Sequence, residues 1–315
     1  MTNRKIVITK NLHPDLMNKI KVVAPDWEII VGKDKEVWGP HIHEAEIVGG
    51  FQISFNHYSQ LKWVQTFSAG VNQYPLDQFT INQILLTSAN GVHAYPISET
   101  IFAYLLGLTR KIPTYVKNQQ KKVWNHGDIK QEIHEKTIGI IGVGAIGKET
   151  AKIAKAFGMK VLGVRHSGEP IQYVDEMYTP AQLNTILPKC DFVVVTLPLT
   201  NETYHFFDRD QFNRMKPSAY FINIGRGSLV NEAELVKALE EGTIAGAGLD
   251  VFEQEPLNTD SPLWEMENVI ITPHTAGSTE YYDQRVVEDI FIPNLKQYLK
   301  GETPSINIVD YSKGY

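Results

Sequence analysis

The chain has 315 residues, more than a single core of roughly 100 to 200 residues accommodates, and its 43% hydrophobic and 21% charged content excludes disordered and fibrous architectures. A net charge of -6 argues against nucleic acid as a partner. The single cysteine, Cys190, excludes an intramolecular disulfide or a zinc site of several thiolates and suits a reducing cytoplasm.

The first segment, MTNRKIVITKNLHPDL, lacks the apolar run of a signal peptide, and no stretch approaches the roughly 20 apolar residues of a membrane span. Short β-branched runs then alternate with helix-compatible segments, the pattern of an α/β fold with parallel sheets covered by helices. Strands are expected at 5–9, 27–31, 45–49, 63–66 and 84–88, a flavodoxin-like series without a glycine fingerprint. The spacing predicts a helix over 96–112, with Ser98 as its N-cap, bridging to a second domain. Further strands are expected at 137–142, 160–164, 192–197, 219–224, 245–250 and 269–272. A last helix over 279–300 follows a sheet that is already complete, so it is expected to return to the first domain. The arrangement is two Rossmann-like domains, a discontinuous one of residues 1–97 and 280–315 and an inserted one of residues 98–279.

In TIGIIGVGAIGKETAKIAKAFG the apolar strand runs into Gly142, Gly144 and Gly147, a GxGxxG at the start of a helix. Gly142 permits the tight turn, Gly144 lets a pyrophosphate approach the backbone, and Gly147 lets the helix pack on the strand. The first helical residues, Ala145 and Ile146, offer N–H groups to the phosphates. The second strand ends in Arg165, His166 and Ser167, where the NAD pattern has an acidic residue for the ribose 2′-hydroxyl. A guanidinium there pairs with a 2′-phosphate and Ser167 adds a donor, so NADP(H) is expected over NAD(H).

Three segments carry reactive side chains at strand ends: FINIGRGSLVN with Arg226, GAGLDVFEQEP with Asp250 and Glu255, and VIITPHTAGST with His274. Reduction of a ketone beside a carboxylate needs a cation for the carboxylate, an acid for the developing alkoxide, and a hydride donor. Arg226, His274 and a reduced nicotinamide match those needs.

With the fingerprint, these segments resemble the D-isomer-specific 2-hydroxyacid dehydrogenase family, and in particular its glyoxylate/hydroxypyruvate reductases, over nearly the whole chain. The resemblance implies an oxidoreductase that reduces a small 2-keto acid to a D-2-hydroxy acid. It assigns the substrate carboxylate to Arg226, the proton donor to His274, and to Glu255 the holding of the imidazole in its charged form. It assigns Asp250 to the nicotinamide side, and Thr196, Leu197, Pro198, Ile224, Gly225 and Gly277 to the cofactor wall. In the first domain FSAGVNQYPLD resembles the family's substrate loop, whose backbone amides at Ala69 and Gly70 meet the carboxylate. The segment NGVHAYPISET resembles the crossing between domains, so Thr100 is expected against the cofactor and His93 in a structural role. A homodimer, with its contact in the region after Pro96, is implied by resemblance alone.

Arg165 departs from the family's acidic residue, and Asn72 stands where many members have Asp. Residues 50–54 are expected to shape the substrate pocket. Tyr281 and Tyr282 are read as packing residues that could line it, and HIH with Glu44, at His41 and His43, as exposed loop and no metal site. The alternative class is a nucleotide-sensing protein of the same fold without turnover; the complete Arg, Glu and His set favours chemistry.

Overall fold

The computed structural model describes residues 4–50, 59–71, 73–127 and 129–311. The chain divides into two compact units, one of Met1–His93 with Thr279–Tyr315 and one of Ala94–Ser278.

In the first unit strands β1 (Lys5–Ile8), β2 (Glu28–Val31), β3 (Ile47–Gly49), β4 (Trp63–Gln65) and β5 (Leu85–Thr87) form a parallel sheet in the order β2-β1-β3-β4-β5, the flavodoxin-like order. Helices α1 (Pro14–Val23), α2 (Lys35–Trp38) and α3 (Leu76–Ile81) connect them. Each strand is one or two residues shorter than its apolar run, although Thr9 N and Thr66 N still donate to the neighbouring strands. Gln65 and Thr87 are fully buried and satisfy one another, Trp63 Nε1 donating to Thr87 Oγ1 and Thr87 Oγ1 to Gln65 Oε1, which offsets the cost of burying polar groups.

The second unit opens with α4 (Ala94–Thr109), whose residues are mostly buried, and α5 (Ile112–Gln120). The helix starts before Pro96 because a proline in a first turn removes an N–H that has no helical partner anyway. Ser98 is therefore interior and not the expected N-cap: its buried hydroxyl lies 3.0 Å from Thr150 Oγ1 and 3.4 Å from the Ile146 carbonyl, tying α4 to the helix after the glycine loop. The sheet contains β6 (Thr137–Ile141), β7 (Lys160–Val164), β8 (Glu176–Tyr178), β9 (Phe192–Val195), β10 (Tyr220–Asn223), β11 (Gly246–Leu249) and β12 (Val269–Ile271), all parallel, in the order β12-β11-β10-β9-β6-β7-β8. Helices α6 (Ala145–Ala156), α7 (Leu183–Ile186), α8 (Arg209–Arg214) and α9 (Glu232–Glu240) cover it. The order reverses between β6 and β9, the switch point at which such sheets take ligands. Strand β8, a three-residue, half-buried edge strand, is not among the sequence expectations.

The chain then returns to the first unit as α10 (Tyr282–Arg285), a π-helical stretch (Val286–Phe291) and α11 (Ile292–Leu299). Pro293 removes one donor from this helix, and wider turns precede it. Phe291 stacks on Trp63 at 5.2 Å, and buried Asn294 bonds the backbone of Ile306 in both directions. No helix of the described residues is long and apolar enough to cross a membrane.

Candidate active site

The candidate residues of the second unit follow strand ends, except Thr100, which lies on α4. Gly142 follows β6 with a φ of 108°, and a Cβ there would sit 2.8 Å from Leu197 N and 2.9 Å from the Thr196 carbonyl carbon. The turn therefore nests against the end of β9, where Thr196 Oγ1 donates to the Gly142 carbonyl at 2.6 Å. A Cβ on Gly147 would meet the Gly142 carbonyl oxygen at 2.8 Å, so α6 packs on β6 at a distance only glycine allows. Gly144 differs: a Cβ there meets nothing within 4 Å, and no side chain caps α6. Open space beside uncapped N–H groups, including those of Ala145 and Ile146, fits a pyrophosphate. Leu197 is partly buried and Pro198 exposed on the neighbouring loop.

At the end of β7, Arg165 is partly buried, and its guanidinium makes no hydrogen bond or ion pair among the described residues. His166 and Ser167 are exposed in a tight turn closed by Gly168 N donating to the Arg165 carbonyl.

The three reactive residues converge. His274 Nδ1 lies 2.7 Å from Glu255 Oε2, with the His side chain half exposed and the Glu about a third exposed. A carboxylate only accepts, so Nδ1 donates, and Nε2 has no partner among the described residues. Phe252 N donates to Glu255 Oε1 at 3.1 Å. Burial pushes the Glu255 carboxyl up, but the bonds from His274 and Phe252 and the charges of His274 and Arg226 outweigh it and hold it below its ordinary value. The side chain of Arg226 is exposed and donates from Nη1 to the Gly225 carbonyl.

Two buried side chains hold these loops. Asn223, 2% exposed, donates to the Arg226 carbonyl and accepts from Gly225 N, leaving Ile224 and Gly225 buried beneath. Asp250, equally buried, takes Thr272 Oγ1 and Thr275 N on Oδ1 and Ala276 N on Oδ2. The expectation set Asp250 against the nicotinamide; these bonds all go to the His274 loop. His274 itself has a left-handed backbone, φ 53°, a conformation that costs a β-carbon residue roughly 1 kcal/mol and needs such anchoring. Gly227 presses on the Phe252 backbone, a Cβ there falling 1.9 Å from the Phe252 carbonyl, so the Arg226 and Glu255 loops are in contact. Thr100 Oγ1 donates to the Pro96 carbonyl at 3.0 Å and lies 3.5 Å from the Ala276 carbonyl, beside partly buried Gly277.

In the first unit, Ala69 and Gly70 are partly buried in the loop after β4. Buried Thr66 fixes that loop by accepting from Ser68 N at 2.7 Å. Tyr282 packs inside this unit, donating to the Phe67 carbonyl with its ring tilted against that of His93 at 4.8 Å, whereas Tyr281 is half exposed. His41 and Glu44 pair with Glu28 and Lys5, and among the described residues no three His, Cys, Asp or Glu side chains converge as metal ligands. Residues 51–54 of the expected pocket loop, and Asn72, lie outside the described residues.

Residues 102–276 match the model of the D-isomer specific 2-hydroxyacid dehydrogenase, NAD binding domain. Glyoxylate/hydroxypyruvate reductase B of Escherichia coli O17:K52:H18 is 34% identical over 302 residues, covering 93% of this chain and 87% of that protein. A D-isomer specific 2-hydroxyacid dehydrogenase family protein from Aeromonas salmonicida superposes with a TM-score of 0.82 at 33% identity, over 98% of this chain and 99% of the other. An NADPH-dependent glyoxylate/hydroxypyruvate reductase from Sinorhizobium meliloti, in complex with NADP and sulfate, superposes with a TM-score of 0.79 at 27% identity, over 99% and 100% of the two chains. The chain belongs to the D-isomer specific 2-hydroxyacid dehydrogenase family and is an NAD(P)-dependent oxidoreductase of that family.

Proposed function

We propose that the protein reduces a small 2-keto acid to the D-2-hydroxy acid, with NADPH preferred over NADH. The observation that carries the reading is the His274–Glu255 pair, 2.7 Å apart, with the Glu255 loop in contact with the one bearing Arg226. The Arg226 guanidinium binds the substrate carboxylate through a two-pronged bond and polarises the keto oxygen. His274, held through Nδ1 by Glu255, delivers the Nε2 proton to that oxygen as negative charge develops on it. Glu255 stays ionised through neutral pH and supports the imidazolium. When bound, the reduced nicotinamide supplies the hydride; Gly142, Gly144, Ala145, Ile146 and Gly147 hold its pyrophosphate, and Thr196, Leu197, Pro198, Ile224, Gly225, Asp250, Gly277 and Thr100 are proposed for its surroundings. The backbone amides of Ala69 and Gly70 are proposed as donors to the substrate carboxylate.

Preference for NADPH rests on Arg165, with His166 and Ser167, in the position of the family's acidic residue. Support also comes from the Sinorhizobium relative, which is NADPH-dependent. A cytoplasmic homodimer is part of the same proposal: Trp124, 91% exposed, and Ile129, 99% exposed, follow α5 as apolar surface for a second copy. Light scattering after gel filtration reads this directly, and a monomer at micromolar concentration rejects it.

The test of function is loss of reduced-nicotinamide absorbance with glyoxylate, hydroxypyruvate and bulkier branched and aromatic 2-keto acids, in the parent and in Arg226→Lys. Turnover of at least one keto acid is expected, with catalytic efficiency lost in Arg226→Lys although the charge is kept. Nucleotide binding without any turnover would instead favour the sensing protein.

A further inference from the structure

We propose that Tyr104, on α4, is a positioning residue for His274, acting through a buried donor chain that runs from its hydroxyl to Thr272 and from Thr272 to Asp250. This rests on the reading of His274 as proton donor.

The direction of the chain follows from counting protons. Asp250 already accepts Thr275 N and Ala276 N, and Thr272 Oγ1 donates its single proton to Oδ1. The hydrogen bond between Tyr104 Oη and Thr272 Oγ1 must then be donated by the tyrosine. Burial pushes the Tyr104 phenol above its ordinary value, the Asp250 charge adding to the effect and the Thr272 bond opposing it, so the phenol keeps its proton at any working pH.

The fold reserves space for this ring. Gly248, on β11, would place a Cβ 2.6 Å from Tyr104 Cγ, so glycine leaves a notch that the tyrosine fills. The ring is 2% exposed, and its hydroxyl reaches the end of β12. Asp250 grips the His274 loop on both sides, at Thr272 before it and at Thr275 and Ala276 after it, while His274 N donates to the Asp250 carbonyl at 2.8 Å. Among the described residues Tyr104 is the one side-chain donor to the upstream anchor. Without it, partly buried Thr272 Oγ1 loses a donor, and its bond to Asp250 loses the reinforcement that linked hydrogen bonds give one another. The left-handed turn at His274 then has one firm side instead of two. The glycine loop, on β6 and α6, is untouched.

The test is a double-mutant cycle of Tyr104→Phe, which keeps the ring in its notch, and Thr272→Val, with His274→Gln assayed in parallel at saturating NADPH and keto acid. Tyr104→Phe is expected to lower kcat about tenfold, the effect of one buried hydrogen bond, with KM for NADPH within about twofold of the parent. On the Thr272→Val background the same change should cost less than about twofold, because the tyrosine acts only through that hydroxyl. A merely structural tyrosine would lower the melting temperature and leave kcat alone; that result, or losses that add in the double variant, overturns the proposal. If Tyr104→Phe does not fold, Thr272→Val carries the test from the other end of the chain, and an unchanged kcat there overturns it. Loss of turnover in His274→Gln with full turnover in Tyr104→Phe rejects the donor chain alone, whereas full turnover in His274→Gln rejects the proton-donor reading and this proposal with it.

Discussion

Replacing Gly227 by alanine should separate the loops that carry Arg226 and Glu255. A Cβ at that position would lie 1.9 Å from the Phe252 carbonyl carbon and oxygen and 2.4 Å from Glu253 N. Ordinary carbon contacts begin at roughly 3.5 Å, so one backbone must retreat by more than about 1 Å. Neither has a flexible side-chain end to yield, since all three atoms are backbone. Misplacing reacting groups by about 1 Å costs on the order of a hundredfold in rate, so kcat for keto-acid reduction should fall by about that factor. NADPH affinity, measured by fluorescence titration, should hold within about threefold, because the glycine turn lies at the end of β6. Gly144→Ala is the complementary control: its Cβ meets nothing within 4 Å, so the fold should tolerate it, while a pyrophosphate in that space should lose affinity about tenfold or more. A Gly227→Ala enzyme with parental kcat would refute the claim that contact between the two loops sets the catalytic geometry.

Replacing Glu255 by Gln should lower kcat for keto-acid reduction about tenfold, since the imidazole loses the carboxylate that accepts from Nδ1; an unchanged kcat, with chemistry limiting, would count against the pairing. Arg165→Asp should turn a roughly tenfold preference for NADPH, about 1.4 kcal/mol, into a preference for NADH; equal use of both by the parent, or no change in the variant, removes Arg165 from cofactor selection. Glu46, 6% exposed, is held down to about 2 by the Arg4 guanidinium, whose bond with help from Tyr298 outweighs burial. Because its folded value is depressed below 4.5, it contributes about 3 kcal/mol above that pH and loses it as the pH falls toward 2. Acid unfolding of Glu46→Gln and the parent should therefore converge below pH 4.5, and a constant gap would contradict the assignment.

Most strands were legible because they bury an apolar run on both faces; β2 and β12, at sheet edges, are only half-buried but keep apolar runs. At the end of β9, Thr196 N still donates to the Ile141 carbonyl while its hydroxyl bonds the Gly142 carbonyl, a tertiary contact no propensity encodes. Strand β8 is too short to leave a pattern: its three residues, Glu176 to Tyr178, are a half-buried edge strand that pairs, among the described residues, with β7 alone. Ser98 was misread because its residue type and place beside Pro96 match an N-cap, while the helix had begun one turn earlier. Glu255 and His274 are ordinary loop residues taken singly; the order of Arg226, Glu255 before a proline and His274 after one, which resembles the family's pattern, is what marks them in the sequence. Tyr104 and Thr272 are separated by 168 positions, and a tyrosine inside an apolar helix reads as ordinary core. Only the notch at Gly248 and the hydroxyl contact give the pair away.

The groups that meet substrate in this reading are exposed, and exposure is what loops provide at the cost of order. Arg226 and His274 have long or rotatable side chains that would sample many positions if their backbones were also free. The order is supplied from beneath, by side chains that begin at the same strand ends and turn inward. Asn223 bonds both the Gly225 N–H and the Arg226 carbonyl, and Asp250 bonds the backbone on the far side of His274. Thr66 does the same for Ser68, next to Ala69 and Gly70. Each clamp is almost fully buried, where a hydrogen bond is stronger and an unmatched polar group costlier than at the surface. Substitution of a clamp therefore acts through geometry: it should lower kcat while the reacting groups keep their chemistry. Substitution of a reacting group removes the chemistry and leaves the loops in place. Loss of turnover with altered hydrogen exchange in the loop identifies the first kind, and loss of turnover with parental exchange identifies the second.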